Sequence, residues 1–73
     1  MAYPVNSTVG IRFLGNNDPG HMEVHDLTKK TNNCQVDEIL RAKHAVGFRP
    51  DTLEQAHKEE YDNCAWCIGG STR

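Results

Sequence analysis

Aromatic residues are scarce in this sequence of 73 residues, at 7% of the chain, and hydrophobic residues of all kinds make up 37%. A chain this short with few apolar side chains buries a small core, and such domains often depend on disulfides or a bound metal. No apolar run approaches the ~20 residues of a membrane-spanning helix, so we expect no membrane span. The first nine residues are polar and carry no positive region. We therefore expect no secretory signal, and a cytoplasmic protein.

A large excess of charge of one sign is also missing. The chain has 8 basic and 10 acidic residues, which gives a formal net charge of -2. Modules that bind nucleic acid or anionic membranes usually concentrate lysine and arginine on one surface. The composition therefore favours a protein partner, and nucleic acid is the alternative.

Cysteines are few, but their spacing is informative. There are three of them, an odd number that cannot pair fully within the chain, so we do not expect a disulfide framework. Cys64 and Cys67 form a C-x2-C pair with Ile68 and Gly69 directly behind it. Two thiols at this spacing can bind one metal ion from a single tight turn. They supply half of a tetrahedral site, so the other half must lie upstream.

The upstream half is predicted at His25 and Cys34, which flank one polar loop. The predicted site is a Cys3His zinc site with one zinc per chain, and its ligands are His25, Cys34, Cys64 and Cys67. His21, two residues before His25 on the same face of a predicted strand, is the alternative histidine ligand. His57 is interpreted as a solvated helix residue, and His44 ends the first helical segment, where a cation suits the helix dipole. Four protein ligands leave no position for water or substrate, so we expect a structural role and no enzymatic activity.

The cysteines have two other possible roles. Cysteine is among the most often buried residue types, so the thiols can be ordinary core residues. A thioredoxin-like redox pair requires a helix after the motif to lower the pKa of the thiol. The sequence Ile-Gly-Gly-Ser-Thr that follows Cys67 cannot form one.

Trp66 and Ile68 are the large apolar residues of the cysteine turn. Tryptophan is favoured at interfaces, so both are predicted to contact a partner. The alternative is that Trp66 folds back over the hairpin as part of the core.

The pattern of the chain predicts a small α+β domain. A strand at 9–15, with Val9, Ile11 and Phe13 on a buried face, is followed by turn residues at 16–20 and a returning strand at 21–25. A helical segment at 35–44 and a short strand at 45–48 come next. The main helix is predicted at 52–60, with Asp51 as N-cap and Glu54 completing a capping box.

These elements define one zinc-stapled domain, a β-hairpin plus a short third strand packed on one main helix. The domain is predicted at 9–70, between a flexible N-terminus at 1–8 and a flexible tail at 71–73.

The run from His25 to Cys67 resembles the N-terminal zinc domain of the Ada DNA-repair protein and related modules appended to nucleases. The resemblance rests on Val24-His25, Cys34, Val46-Gly-Phe48, Leu53-Glu-Gln-Ala56 and Tyr61-Asp-Asn-Cys-Ala-Trp-Cys67. It implies a zinc module, and it raises a role in nucleic-acid binding or beside a nuclease as the alternative function. His25 stands where the Ada protein has its methyl-accepting cysteine, so the resemblance does not imply alkyl transfer.

Overall fold

The computed structural model describes residues 2–20, 22–29, 34–65 and 67–69. Within these ranges the chain forms five short strands and two short helices, in keeping with the predicted α+β class. In chain order they are β1 (Tyr3–Pro4), β2 (Phe13–Asn16), β3 (Glu23–Asp26), α1 (Val36–Arg41), β4 (Ala45–Gly47), α2 (Leu53–Lys58) and β5 (Asp62–Asn63).

The strands form one mixed sheet in the order β1-β4-β2-β3-β5. β2 and β3 are the predicted antiparallel hairpin, and Leu14 lies opposite His25 in their register. β5 pairs parallel with β3, with Glu23 opposite Asp62 and Val24 opposite Asn63. This parallel pair carries the chain from the end of α2 to a position beside His25, which determines where the cysteine turn lies.

The sheet is buried on both faces, and successive residues of β2 alternate between two clusters. Leu14 packs into the first cluster, together with Cys34, Val36, Ile39, Ala45, Cys64 and Cys67. Phe13 packs into the second, together with Val24, Val46, Phe48, Ala56 and Tyr61. α1 contributes to the cluster that holds the cysteines, and α2 contributes to the aromatic cluster. α1 lies within the predicted helical segment at 35–44 and α2 within the predicted main helix at 52–60, and each helix has six residues.

The predicted strand at 9–15 begins too early, and its buried face was assigned incompletely. β2 starts at Phe13, and Val9 is 86% exposed. Leu14, predicted on the opposite face, is fully buried at 0% exposure. The physical reason is that both faces of β2 are covered, so apolar alternation does not separate an inner face from a solvent face.

The predicted N-cap of α2 is also wrong by one residue. Thr52 is the N-cap, and its hydroxyl accepts the backbone N–H of Gln55 at 3.2 Å. The Asp51 carboxylate instead accepts the backbone N–H groups of Arg12 and Phe13, at 2.8 and 2.9 Å. Asp51 therefore ties the start of α2 to the start of β2, a long-range contact that local capping rules do not predict.

The N-terminal segment contributes a strand where the sequence predicted no element. Tyr3 of β1 lies opposite Gly47 of β4, and the Val5 N–H donates to the Ala45 carbonyl at 3.0 Å. The Ala2 N–H donates to the Glu59 carboxylate at 2.6 Å. These bonds attach residues 2–5 to the edge of the sheet and to the end of α2. The predicted tail at 71–73 lies outside the described residues.

Candidate metal centre

Four buried side chains converge on the cysteine-bearing face of the sheet, and they are the four predicted ligands. His25 lies in β3, Cys34 directly precedes α1, and Cys64 and Cys67 follow β5. One ligand atom from each residue lies within 4.8 Å of all the others. Segments separated by up to 42 residues along the chain therefore meet in a donor set that can hold one metal ion.

The spacing of the ligand atoms suits a small tetrahedral ion. The Cys34 and Cys64 sulfurs are 3.7 Å apart, and the Cys67 sulfur is 3.9 Å from Nδ1 of His25. A zinc ion with ordinary Zn–S and Zn–N bonds separates two sulfurs by about 3.8 Å, and a sulfur and a nitrogen by about 3.5 Å. Both distances in the structure lie within about 0.4 Å of these values. A disulfide would require about 2.05 Å between sulfurs, so Cys34 and Cys64 form none.

Backbone hydrogen bonds shape the turn that carries the two C-terminal thiols. The Cys64 N–H donates to the Val24 carbonyl at 3.0 Å, which extends the pairing of β3 and β5 up to the first thiol. The Cys64 carbonyl then accepts two N–H groups, from Ile68 at 3.1 Å and Gly69 at 2.9 Å. Gly69 has φ of 80°, a left-handed conformation that glycine adopts without steric cost. The glycine behind the motif is therefore required by the closure of the turn.

His25 presents a neutral imidazole to the thiols. Its side chain is 2% exposed, and burial lowers the pKa of His25 below its ordinary value. The neutral ring is the form that binds metal. Nδ1 is the nitrogen near a ligand sulfur, whereas Nε2 is buried without a hydrogen-bond partner among the described residues.

The thiol of Cys67 is held in its protonated form when no cation is near. Burial raises the pKa of Cys67 to about 12; hydrogen bonds of its protonated thiol with Cys34 and Cys64 act in the same direction, and the backbone N–H of Asp26 opposes them. Reactive redox cysteines have the reverse property, a lowered pKa. The environment of Cys67 therefore disfavours the thioredoxin-like interpretation, and it suits a thiol that ionises when it binds a metal.

Asp26 supports the site in a way that the sequence analysis missed. Its backbone N–H donates to the Cys67 sulfur at 3.4 Å, and its carboxylate accepts from the Thr28 hydroxyl at 2.6 Å and from Arg12. Burial disfavours the charged carboxyl, but the bonds from Thr28 and Arg12 outweigh it, so the pKa of Asp26 lies below its ordinary value. The only signal in the sequence was its position next to His25.

His57 was interpreted as a solvated helix residue, and it is exposed, but its ring has a partner near the site. Its Nε2 lies 2.5 Å from Oδ1 of Asn63. The amide of Asn63 donates to the Gly69 carbonyl at 3.0 Å. Because Asn63 directly precedes Cys64, these bonds connect α2 to both ends of the cysteine turn.

Not every predicted site residue falls within the described part of the chain. His21, the alternative ligand, and Trp66, a predicted partner contact, lie outside it. Ile68 is half-buried and packs against both clusters. His44 directly precedes β4 and is not a member of the candidate ligand set.

Comparisons of the chain with protein family models, with curated proteins and with solved structures give no match. The likeness to the Ada-type zinc domain therefore stays a prediction. None of the helices in residues 2–20, 22–29, 34–65 and 67–69 is long and apolar enough to span a membrane.

Proposed function

We propose that this protein is a structural zinc-binding module that supports binding to a protein partner. The observation that carries the proposal is the convergence of four buried ligand atoms, one histidine nitrogen and three thiols, within 4.8 Å of one another. Three sulfurs and one nitrogen form a donor set typical of structural zinc sites. Because a Cys3His set fills all four positions of a tetrahedral ion, the proposal includes no catalytic activity.

The first expected result concerns metal content and its dependence on pH. The protein should take up one Zn²⁺ per chain, and a Co²⁺-substituted sample should show thiolate-to-metal charge-transfer bands. Metal uptake must displace protons from the thiols, and the raised pKa of Cys67 means that its proton is still bound at neutral pH. The affinity should therefore rise with pH between roughly 6 and 8.

Calorimetry in two buffers of different ionisation enthalpy measures the number of protons released with the metal. Uptake that releases no protons, or a folded protein that takes up no metal, would contradict the proposal.

The three cysteines form no disulfide, which suits a reducing compartment such as the cytoplasm.

The proposed binding surface for the partner is the cysteine turn. The turn is closed by the hydrogen bonds of Cys64, so residues on it can contact a partner with little loss of conformational freedom. Ile68 is half-buried and retains some exposed surface. Trp66, predicted as the second contact, stands between Cys64 and Cys67 in the sequence.

Trp66→Ala in the zinc-loaded protein should weaken capture of a partner by at least about tenfold, because truncated tryptophan anchors commonly cost 2 kcal/mol or more. Zinc content and thermal stability should stay unchanged. Val9→Ala is the matched control, since Val9 is a large exposed hydrophobic residue outside the turn. Unfolding of the Trp66 variant would instead assign that residue to the core and refute the interface.

The nucleic-acid alternative follows from the resemblance to Ada-type modules, and the charge of the chain does not favour it. Zinc with three thiolates adds a further negative charge to a chain whose formal charge is already -2. Release of counterions from phosphates requires clustered lysine and arginine. A shift of duplex DNA by micromolar protein at physiological salt would favour this alternative over a protein partner.

A further inference from the structure

An acidic cleft of about 340 Å³ opens beside the metal centre. Two of the metal ligands, His25 and Cys34, line it, and three carboxylates lie around it, those of Asp18, Glu23 and Glu38. No lysine or arginine is among its described lining residues. When the site holds a divalent ion, three thiolates leave a further net negative charge on this side of the cleft. The cleft therefore attracts cations.

His25 supplies a second, independent feature, a buried polar atom without a partner. The ring is 2% exposed, and its Nε2 has no hydrogen-bond partner among the described residues. Nδ1 is the nitrogen that approaches a thiol. Once Nδ1 binds the metal, Nε2 carries the ring proton and becomes a donor, and metal-bound histidines almost always donate this proton to an acceptor. An occupant of the cleft can provide that acceptor.

The three carboxylates differ in the hydrogen bonds and ion pairs that they already make within the chain. Asp18 accepts the Gly20 N–H at 3.0 Å, and Glu38 pairs with Arg41 in an exposed salt bridge. Such exposed pairs contribute little stability, so Glu38 can exchange its partner at small cost. Within the described ranges, the side chain of Glu23 makes no hydrogen bond or ion pair that would compete. Glu23 lies two residues from His25 on β3, so both side chains belong to the same face of the strand.

We propose that this cleft binds an arginine or lysine residue of a protein partner. The cationic side chain would pair with Glu23 and Glu38, and the main-chain carbonyl of the same residue would accept the Nε2–H of His25. The proposal rests on the proposed zinc-binding function and names the chemistry of its partner. A peptide provides both groups at once, the cation for the carboxylates and the acceptor for the histidine, and charge complementarity selects it over an acidic segment.

The test uses the zinc-loaded full chain and a blocked glycine–arginine–glycine tripeptide, with the same peptide containing citrulline as the neutral isostere. Long-range ¹H–¹⁵N NMR spectra should assign Nδ1 of His25 to the metal and the ring proton to Nε2. The arginine peptide should shift the Nε2–H resonance and the amides of Glu23 and Gln35. The citrulline peptide should bind at least about tenfold more weakly, since it loses the charge.

The double variant Glu23→Gln/Glu38→Gln should bind the arginine peptide roughly tenfold more weakly. The matched control is Glu54→Gln/Glu60→Gln, which makes the same change of charge at two exposed positions outside the cleft. The control should bind like the unmodified protein. Higher salt should weaken binding to the unmodified protein more than to the double variant, because the ion pairs are screened.

Three results would overturn the proposal. The first is equal binding of the arginine and citrulline peptides, and the second is an equal loss in the two double variants. The third is an NMR assignment that places the metal on Nε2 of His25. Zinc content is measured on the same samples, which separates this proposal from the one it rests on. A chain that takes up no zinc refutes the zinc function. A zinc-loaded chain that does not bind the arginine peptide refutes only the proposal that the cleft binds a cationic residue.

Discussion

Cys64→Ser should abolish the cooperative unfolding transition of this protein, and so should removal of the metal with a strong chelator. Structural zinc contributes on the order of 10 kcal/mol of apparent binding free energy in small modules. A core of this size supplies only about 3–5 kcal/mol. Cys64 is 1% exposed and belongs to the cluster that packs under α1. Loss of the metal therefore removes more free energy than the remaining core provides.

Ala65→Ser is the matched control, because it introduces the same residue into the same turn at an exposed position. It should leave zinc content and the unfolding transition unchanged. His25→Ala should behave like Cys64→Ser, and His21→Ala should retain the metal. Circular dichroism during heating, with metal analysis of each sample, measures both properties. A Cys64 variant that unfolds cooperatively with one zinc per chain would contradict the ligand assignment, and so would a His21 variant that loses the metal.

Gly15→Ala should destabilise the zinc-loaded protein by about 1–3 kcal/mol, which for a domain of this size lowers the melting temperature by about 4–8 °C per kcal/mol. A Cβ atom at Gly15 would lie 2.7 Å from Phe48 Cζ, 2.7 Å from Val46 Cγ2 and 3.0 Å from Tyr61 Cε2. Phe48 and Tyr61 are buried and form an edge-to-face pair with ring centroids 5.0 Å apart. Neither ring can move aside without disturbing the aromatic cluster.

Gly20→Ala provides the comparison, because its nearest contact would be an ordinary 3.7 Å to Asp18 Oδ1. We expect a change within about 0.5 kcal/mol there, as for most surface substitutions. Both variants should retain one zinc, because Gly15 faces the aromatic cluster and not the thiols. Equal stability of the two variants would mean that the rings of Phe48 and Tyr61 repack at no cost.

The sequence by itself predicted the hairpin and the three cysteines of the candidate ligand set, and it left His21 as the alternative to His25 for the fourth position. Cys64 and Cys67 are three residues apart, and such a pair needs two further ligands to complete a tetrahedral site. Only one further cysteine and four histidines are available in the chain. The hairpin was predictable because turn formers at 16–20 separate two short apolar segments, and that information is local.

Only the tertiary structure decided which contacts surround the site, because these join residues far apart in the chain. Asp51 appeared to be a helix cap, yet it binds the backbone of β2, since a carboxylate satisfies whichever unpaired N–H groups the fold brings to it. β2 appeared to have one buried face, but α1 and the cysteine turn cover the other, so Leu14 is buried as well. The carboxylates around the cleft come from β3, α1 and the hairpin loop. These carboxylates come together only when the sheet forms, so no local pattern in the sequence predicts the cleft.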